Sequence, residues 1–259
     1  MSGPDRSPDP WQRLAALTPA RIGLGRTGSG LSTGETLRFA LAHAQARDAV
    51  HAALNEAALT AELKTLGLDS IRVASRAAGR ASYLLRPDLG RSLDAAGRTA
   101  LEAKASASCD IALVVADGLS ASAIAAQAAA FLAAFLPLAR RHQWSLSPAV
   151  IVSQGRVAIG DEIGAVLGAR LTLLLIGERP GLSSPDSLGL YITYAPRPGR
   201  SDGERNCVSN IHGAGLSPTE AAARAAWLIG AALSRGLSGV ALKDESASAA
   251  SPRLAADHP

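Results

Sequence analysis

From position 109 onward the chain repeats one pattern: a short apolar run, a turn bearing glycine, and a stretch with helical spacing. Residues 110–116 (DIALVVA), 149–153 (AVIVS) and 170–176 (RLTLLLI) are near-continuous apolar runs of strand length. Runs of that kind suit strands covered on both faces, and strands alternating with helices pair in parallel through right-handed crossovers. The pattern predicts an α/β fold built on a parallel, Rossmann-like sheet. Ser120 caps an Ala-rich helix to about Arg141, a second helix lies near Gly160 to Leu167, and Ser217-Pro218-Thr219-Glu220 opens a last helix to about Leu233, with proline in its first position. Residues 188–194 (LGLYITY) alternate as an edge strand does.

Upstream, Ser32 and Glu35 have capping-box spacing, and Leu37, Leu41, Ala44, Val50 and Leu54 follow at helical steps. One long helix to about Leu63 is expected. His43, Arg47 and His51 line its other side, and Arg76, Arg80, Arg86, Arg91 and Arg98 fall in a less regular connector, read as ordinary surface. The chain therefore divides into a flexible lead over residues 1–20, where Trp11, Leu14 and Leu17 suit one short amphipathic turn, and a Gly-rich and helical segment over 21–105, suited to partner contact. An α/β cofactor-binding domain over 106–236 and a disordered tail over 237–259 complete it.

A length of 259 residues fits one core with appendages or two small units, and 47% hydrophobic residues suffice to pack it. Aromatics are only 3%, which removes the stacking platform of a single-strand nucleic-acid binder. The net charge of +4 (26 basic against 22 acidic residues) is spread rather than clustered, so no nucleic-acid partner is expected. Cys109 and Cys207 cannot build a disulfide framework, and a reducing compartment is the default. Residues 1–10 lack the apolar core of a secretory signal, and the longest apolar stretch, 111–139, is interrupted by Asp117, Gln127 and Pro137. No membrane partner is expected either.

Ligands of open parallel sheets sit at the carboxyl ends of the strands. That places the candidate site at four loops: Asp117-Gly118-Leu119-Ser120, Gln154-Gly155-Arg156-Val157, residues 177–187 (GERPGLSSPDS), and residues 197–210. The G-x-G-x-x-G of Gly23 to Gly28 is not preceded by a strand, since Thr18-Pro19-Ala20-Arg21-Ile22 stands there, so a dinucleotide site is rejected in favour of a loop that contacts a partner or a large ligand. There is no G-x-S-x-G elbow, no H-E-x-x-H, no Cys-x-x-Cys and no phosphate-binding P-loop. The residues by themselves describe a ligand-binding α/β domain without an obvious nucleophile, proton-transfer pair or metal site.

Six blocks carry a resemblance. Residues 19–30 (PARIGLGRTGSG), 39–51 (FALAHAQARDAVH), 110–120 (DIALVVADGLS), 155–161 (GRVAIGD), 176–189 (IGERPGLSSPDSLG) and 205–211 (RNCVSNI), in that order, resemble the small subunits of ethanolamine ammonia-lyase from about Thr18 to Leu233. The resemblance implies an adenosylcobalamin-dependent lyase that converts ethanolamine to acetaldehyde and ammonia by radical chemistry. It also implies a large subunit that holds the substrate in a hetero-oligomer, and a cobalamin-binding role for this chain. Carried onto matching positions, it implies cofactor contact by Val157, Glu178 and Cys207, with Arg156 and Asn206 as weaker candidates, and no catalytic residue in this chain. The absence of D-x-H-x-x-G, by which other cobalamin proteins supply a histidine to cobalt, implies a base-on cofactor. A cytoplasmic complex is expected, enclosed in a bacterial microcompartment where the organism makes one. The other reading is a non-catalytic carrier of a corrinoid or nucleotide.

Overall fold

The computed structural model describes residues 10–18, 20–105 and 108–246. A short helix α1 (Pro10–Ala15) and a minimal hairpin of β1 (Arg26–Thr27) and β2 (Gly30–Leu31) precede two helices, α2 (Thr33–His51) and α3 (Glu56–Thr65). The single long helix expected there is broken, because the Asn55 side chain accepts the N–H of Ala58 at 3.0 Å and starts a new helix. Ser32 caps α2 through the Glu35 N–H, but the Glu35 carboxylate pairs with Arg38 instead of closing the capping box. Next come β3 (Ser70–Ala74), α4 (Arg80–Leu85), α5 (Ala95–Glu102), β4 (Ile111–Ala116), α6 (Ala121–Arg141), β5 (Ala149–Ser153), α7 (Ile159–Val166), β6 (Leu171–Gly177), β7 (Leu188–Tyr194), β8 (Arg205–Ile211) and α8 (Pro218–Arg235).

The six-stranded sheet has the order β3-β5-β4-β6-β7-β8. The first four strands are parallel, as expected, but β7 and β8 run antiparallel to their neighbours, so the sheet is mixed rather than purely parallel. The cause is connection length. Residues 178–187 contain no helix to carry the chain across, so it turns back beside β6. For the same reason β7 is an interior strand and not the edge its alternation suggested; the edge is β8, formed from residues assigned to a loop because Asn206, Ser209 and Asn210 favour strands so little.

Two apolar cores flank the sheet. On one face Ile111, Leu113, Leu173 and Leu190 pack against α3, α6 and α8, with Phe131 and Phe135 stacked 5.6 Å apart. On the other, Ala112, Val114, Val150 and Leu174 pack against Leu101 of α5 and Ile159 and Ile163 of α7. Helix α6 continues through Gln127 and Pro137, and its 21 residues are long and apolar enough by composition to cross a bilayer. One side of it, however, supplies Ile124, Phe131, Leu132 and Phe135 to the first core. At the chain end, Ser217 and Glu220 close the expected capping box of α8. Of the segment read as a disordered tail, residues 239–242 are pinned: Asn206 exchanges hydrogen bonds with Gly239 and donates to the Leu242 carbonyl at 2.7 Å, and Leu242 is buried. Residues 247–259 lie outside the described residues.

Helix α7 is tied to β8 by an ion pair between Asp161 and Arg205, whose side chains are each only 2% exposed. Arg205 also donates to the Arg200 carbonyl (2.8 Å) and the Thr193 hydroxyl (3.3 Å). Arg205→Ala strands the Asp161 carboxylate in the interior and should cost about 3–5 kcal/mol. Asp202→Ala, which removes only an exposed partner 3.5 Å away, should change stability by less than about 0.5 kcal/mol. Urea denaturation separates the two, and a wild-type midpoint for Arg205→Ala contradicts the assignment.

Candidate functional site

The site begins where β4 ends. Asp117 is buried, and its carboxylate accepts the N–H groups of Gln154 (2.9 Å) and Gly155 (3.1 Å), which fixes the loop after β5 to the loop after β4. Burial pushes the Asp117 carboxyl above its usual range, while those two N–H groups and the Arg80 guanidinium pull it back. Arg80, expected on the surface, is structural: it donates to the carbonyls of Val50 and Gly118 and lies 3.9 Å from Asp117. Tyr83 is fully buried and donates its hydroxyl to the Gly155 carbonyl at 3.0 Å; burial pushes its pKa up to about 12. Arg156 stacks over the Tyr83 ring at 4.1 Å and donates to the Tyr83 carbonyl, and its buried Nε has no partner in the structure.

These contacts set the half-buried Val157 at the mouth of a cleft of about 590 Å³. Pro87, Asp88 and Arg91 form one wall, Arg156 to Ala158 the other, and Tyr191 of β7 and Asp202 complete the lining. Helix α7 covers β4 and β6 on this face, whereas Tyr191 is half-buried and Cys207 and Ser209 are exposed, so the β7–β8 hairpin presents a bare strand surface beside the cleft.

Glu178 comes from the loop after β6, anchored by its N–H to the Ser187 carbonyl at 2.9 Å. Its carboxylate lies across Gly189, where a Cβ would fall 2.0 Å from Oε1, and accepts the Tyr191 hydroxyl at 3.0 Å. Burial raises the Glu178 carboxyl and the Tyr191 hydrogen bond lowers it again. It forms no ion pair with Arg156, Arg179 or any other cation among the described residues. Cys207 stands opposite Tyr191 in the β7–β8 register. Although the residue is exposed, desolvation of its thiol beside Tyr191 raises the pKa, with the Tyr191 hydrogen bond opposing and Glu178 reinforcing, so at neutral pH it is a small uncharged contact rather than a nucleophile.

Tyr191 is thus the common neighbour of Val157, Glu178 and Cys207. Arg156 reaches the same cleft, although its guanidinium is committed to Tyr83. Asn206 is not brought there: it alternates with Cys207 along β8, and its amide is spent on the 239–242 segment. Nor is the site a crevice above converging loops, since Cys207 lies in a strand and residues 197–204 join β7 to β8 at the other end of the sheet, beside Tyr194 and Arg205, from where Asp202 reaches the cleft. Sequence reasoning missed Tyr191; its signal was a tyrosine two positions after a glycine in an alternating strand. Ser184 and His212 approach within 3.2 Å, but His212 Nδ1 accepts the Ala214 N–H. The proton therefore sits on Nε2, which leaves Ser184 without a base. Among the described residues no group of three His, Cys, Asp or Glu side chains could hold a metal ion.

A family model described as ethanolamine ammonia-lyase light chain (EutC) matches residues 8–243. Among curated proteins, the chain is 57% identical over 233 residues to an ethanolamine ammonia-lyase small subunit of Rhodopseudomonas palustris, covering 90% of this chain and 89% of that one. It is 53% identical over 260 residues to that of Bradyrhizobium diazoefficiens, covering 100% of both chains. With that of Xanthomonas campestris it shares 55% identity over 252 residues, 95% of this chain and 92% of the relative.

The half-buried Glu178 generates a pH signature. Because its folded pKa is raised above the unfolded value, the wild-type fold is favoured in acid and loses that advantage as pH rises through the raised value. Glutamine does not titrate. The thermal midpoint of Glu178→Gln should therefore gain on wild type as pH rises from about 4 to about 7, and a difference independent of pH contradicts a desolvated carboxyl at 178.

Proposed function

The chain belongs to the family of ethanolamine ammonia-lyase small subunits, lyases that act with a large subunit, and from that premise we propose that its β7–β8 face and adjoining cleft hold adenosylcobalamin against the large chain. The supporting observation is the desolvated Glu178 carboxylate, which among the described residues has a tyrosine but no cation for a partner, beside a bare strand surface. Cobalamin is a broad corrin disc fringed with amide arms. Such a disc needs a flat surface of small or apolar groups, here Val157 and Cys207, and an acceptor for amide N–H, here Glu178. The unpartnered Nε of Arg156 is a donor suited to an amide carbonyl. Asn206 is left out of the set.

Bound there, the cofactor supplies the radical chemistry by which ethanolamine becomes acetaldehyde and ammonia. This chain's residues bind and orient: Glu178 fixes an amide arm, Val157 and Cys207 exclude water from one edge of the corrin, and the arrangement offers no proton-transfer group to the substrate. The four described histidines supply no lower ligand in this reading, and the cofactor stays base-on. We assign the partner surface to the N-terminal segment, where Leu37 (64% exposed), Phe39 and Leu41 leave α2 with Ala49 as its one buried residue. A helix so little supported within its own chain needs cover from elsewhere. The working complex belongs in the cytoplasm, inside a microcompartment where the organism builds one.

Co-expressed with its large subunit, the chain should give acetaldehyde release from ethanolamine that requires added adenosylcobalamin. Glu178→Ala should weaken cofactor binding about tenfold, the loss of one hydrogen bond to a charged group. Full activity of the large chain alone contradicts the proposal.

A further inference from the structure

We infer that Tyr191 is a positioning residue of the cofactor site: it holds the Glu178 carboxylate at the orientation in which that group receives an amide arm. The inference rests on the cofactor reading of Glu178 and adds a residue that the resemblance did not indicate. Three contacts carry it. The Tyr191 hydroxyl donates to Glu178 Oε1 at 3.0 Å, the residue lines the cleft together with Val157, and in the strand register it stands opposite Cys207.

The geometry also explains why Glu178 needs such a partner. Residue 189 has no side chain, so the carboxylate packs over the backbone of β7, and no side chain at 189 fixes its orientation. Among the described residues, the one side-chain donor bonded to it is the phenol. A hydroxyl bound to Oε1 leaves Oε2 for an incoming N–H and favours the ionised form that accepts it. The titratable groups that face Glu178 are Tyr191 from β7 and Cys207 from β8. Arg156, on the α7 side, is turned onto Tyr83, and Arg179, next in the chain, makes no ion pair with Glu178 among the described residues. Removing the phenol therefore affects both the direction and the ionisation of one carboxylate, and a purely structural tyrosine would affect neither.

The test is a titration of the assembled large–small complex with adenosylcobalamin, at mildly acidic and mildly alkaline pH, for wild type, Tyr191→Phe, Glu178→Ala and the double variant. Tyr191→Phe should weaken binding about five- to tenfold in acid and less in alkali, because the carboxyl protonates more readily without its donor. Glu178→Ala should weaken binding at both pH values, and more in alkali, where the carboxyl is ionised, and Tyr191→Phe added to it should change affinity by less than about twofold at either pH. If Glu178→Ala leaves affinity unchanged, the cofactor reading of Glu178 fails and this inference with it. If Glu178→Ala weakens binding but the two effects multiply, or the Tyr191→Phe loss ignores pH, the inference alone is overturned. Co-elution with the large subunit is the folding control. Should Tyr191→Phe fail it, Gly189→Ala, which dislodges the carboxylate and keeps the phenol, takes its place with the same pH-dependent loss expected.

Discussion

The structure depends on a close approach of backbone at the end of the sheet. Gly118, at φ +57°, has no room for a Cβ, which would lie 2.2 Å from the Gly177 carbonyl, and a Cβ on Gly177 would lie 2.0 Å from that of Ser120. The loops after β4 and β6 therefore touch through their main chains. Asp117 adds the third loop by receiving the N–H groups of Gln154 and Gly155, and Ser120 donates to the Pro185 carbonyl at 2.7 Å. Val157 and Glu178 thus start from anchored backbone. A buried carboxylate that is satisfied by main-chain donors costs its desolvation but fixes geometry that longer, exposed side chains cannot.

The face proposed for the cofactor follows from where helices are absent. Crossover helices cover the parallel strands on both sides, as they must when each parallel connection contains one. The β6–β7 and β7–β8 connections contain none, so the hairpin keeps one face against α8 and leaves the other bare. Tyr191 and Cys207 are on the bare side, Ile192 and Val208 on the buried one. A flat, weakly polar ligand fits that surface better than a deep pocket would, and such a ligand keeps a second face for another chain. This accords with a subunit that works only as half of a site.

Much of this was legible in the sequence because local chemistry determined it. The three apolar runs became β4, β5 and β6, and Ser120 and Ser217 capped the helices expected of them. The failures share one cause, which is that tertiary context outweighed local pattern. Asn55 broke a helix whose apolar period ran on, and β8 formed from residues with poor strand propensity because β7 offered a free edge. Asn206 and Cys207 look equivalent as neighbours in a motif, yet strand alternation sends one to the 239–242 segment and the other to the open face. Tyr191 went unnoticed because its role depends on Glu178 lying over Gly189, a contact between residues eleven apart that no short motif encodes.

The central claim is that a single corrin rests on one bare strand face. A structure of the assembled large–small complex with cobalamin bound tests it most directly. The account predicts the ring over the β7–β8 surface, in van der Waals contact with Val157 and Cys207 and with an amide nitrogen in hydrogen-bond reach of Glu178. A corrin seated on the opposite side of the sheet, or held by the large chain with these three side chains facing solvent, contradicts it.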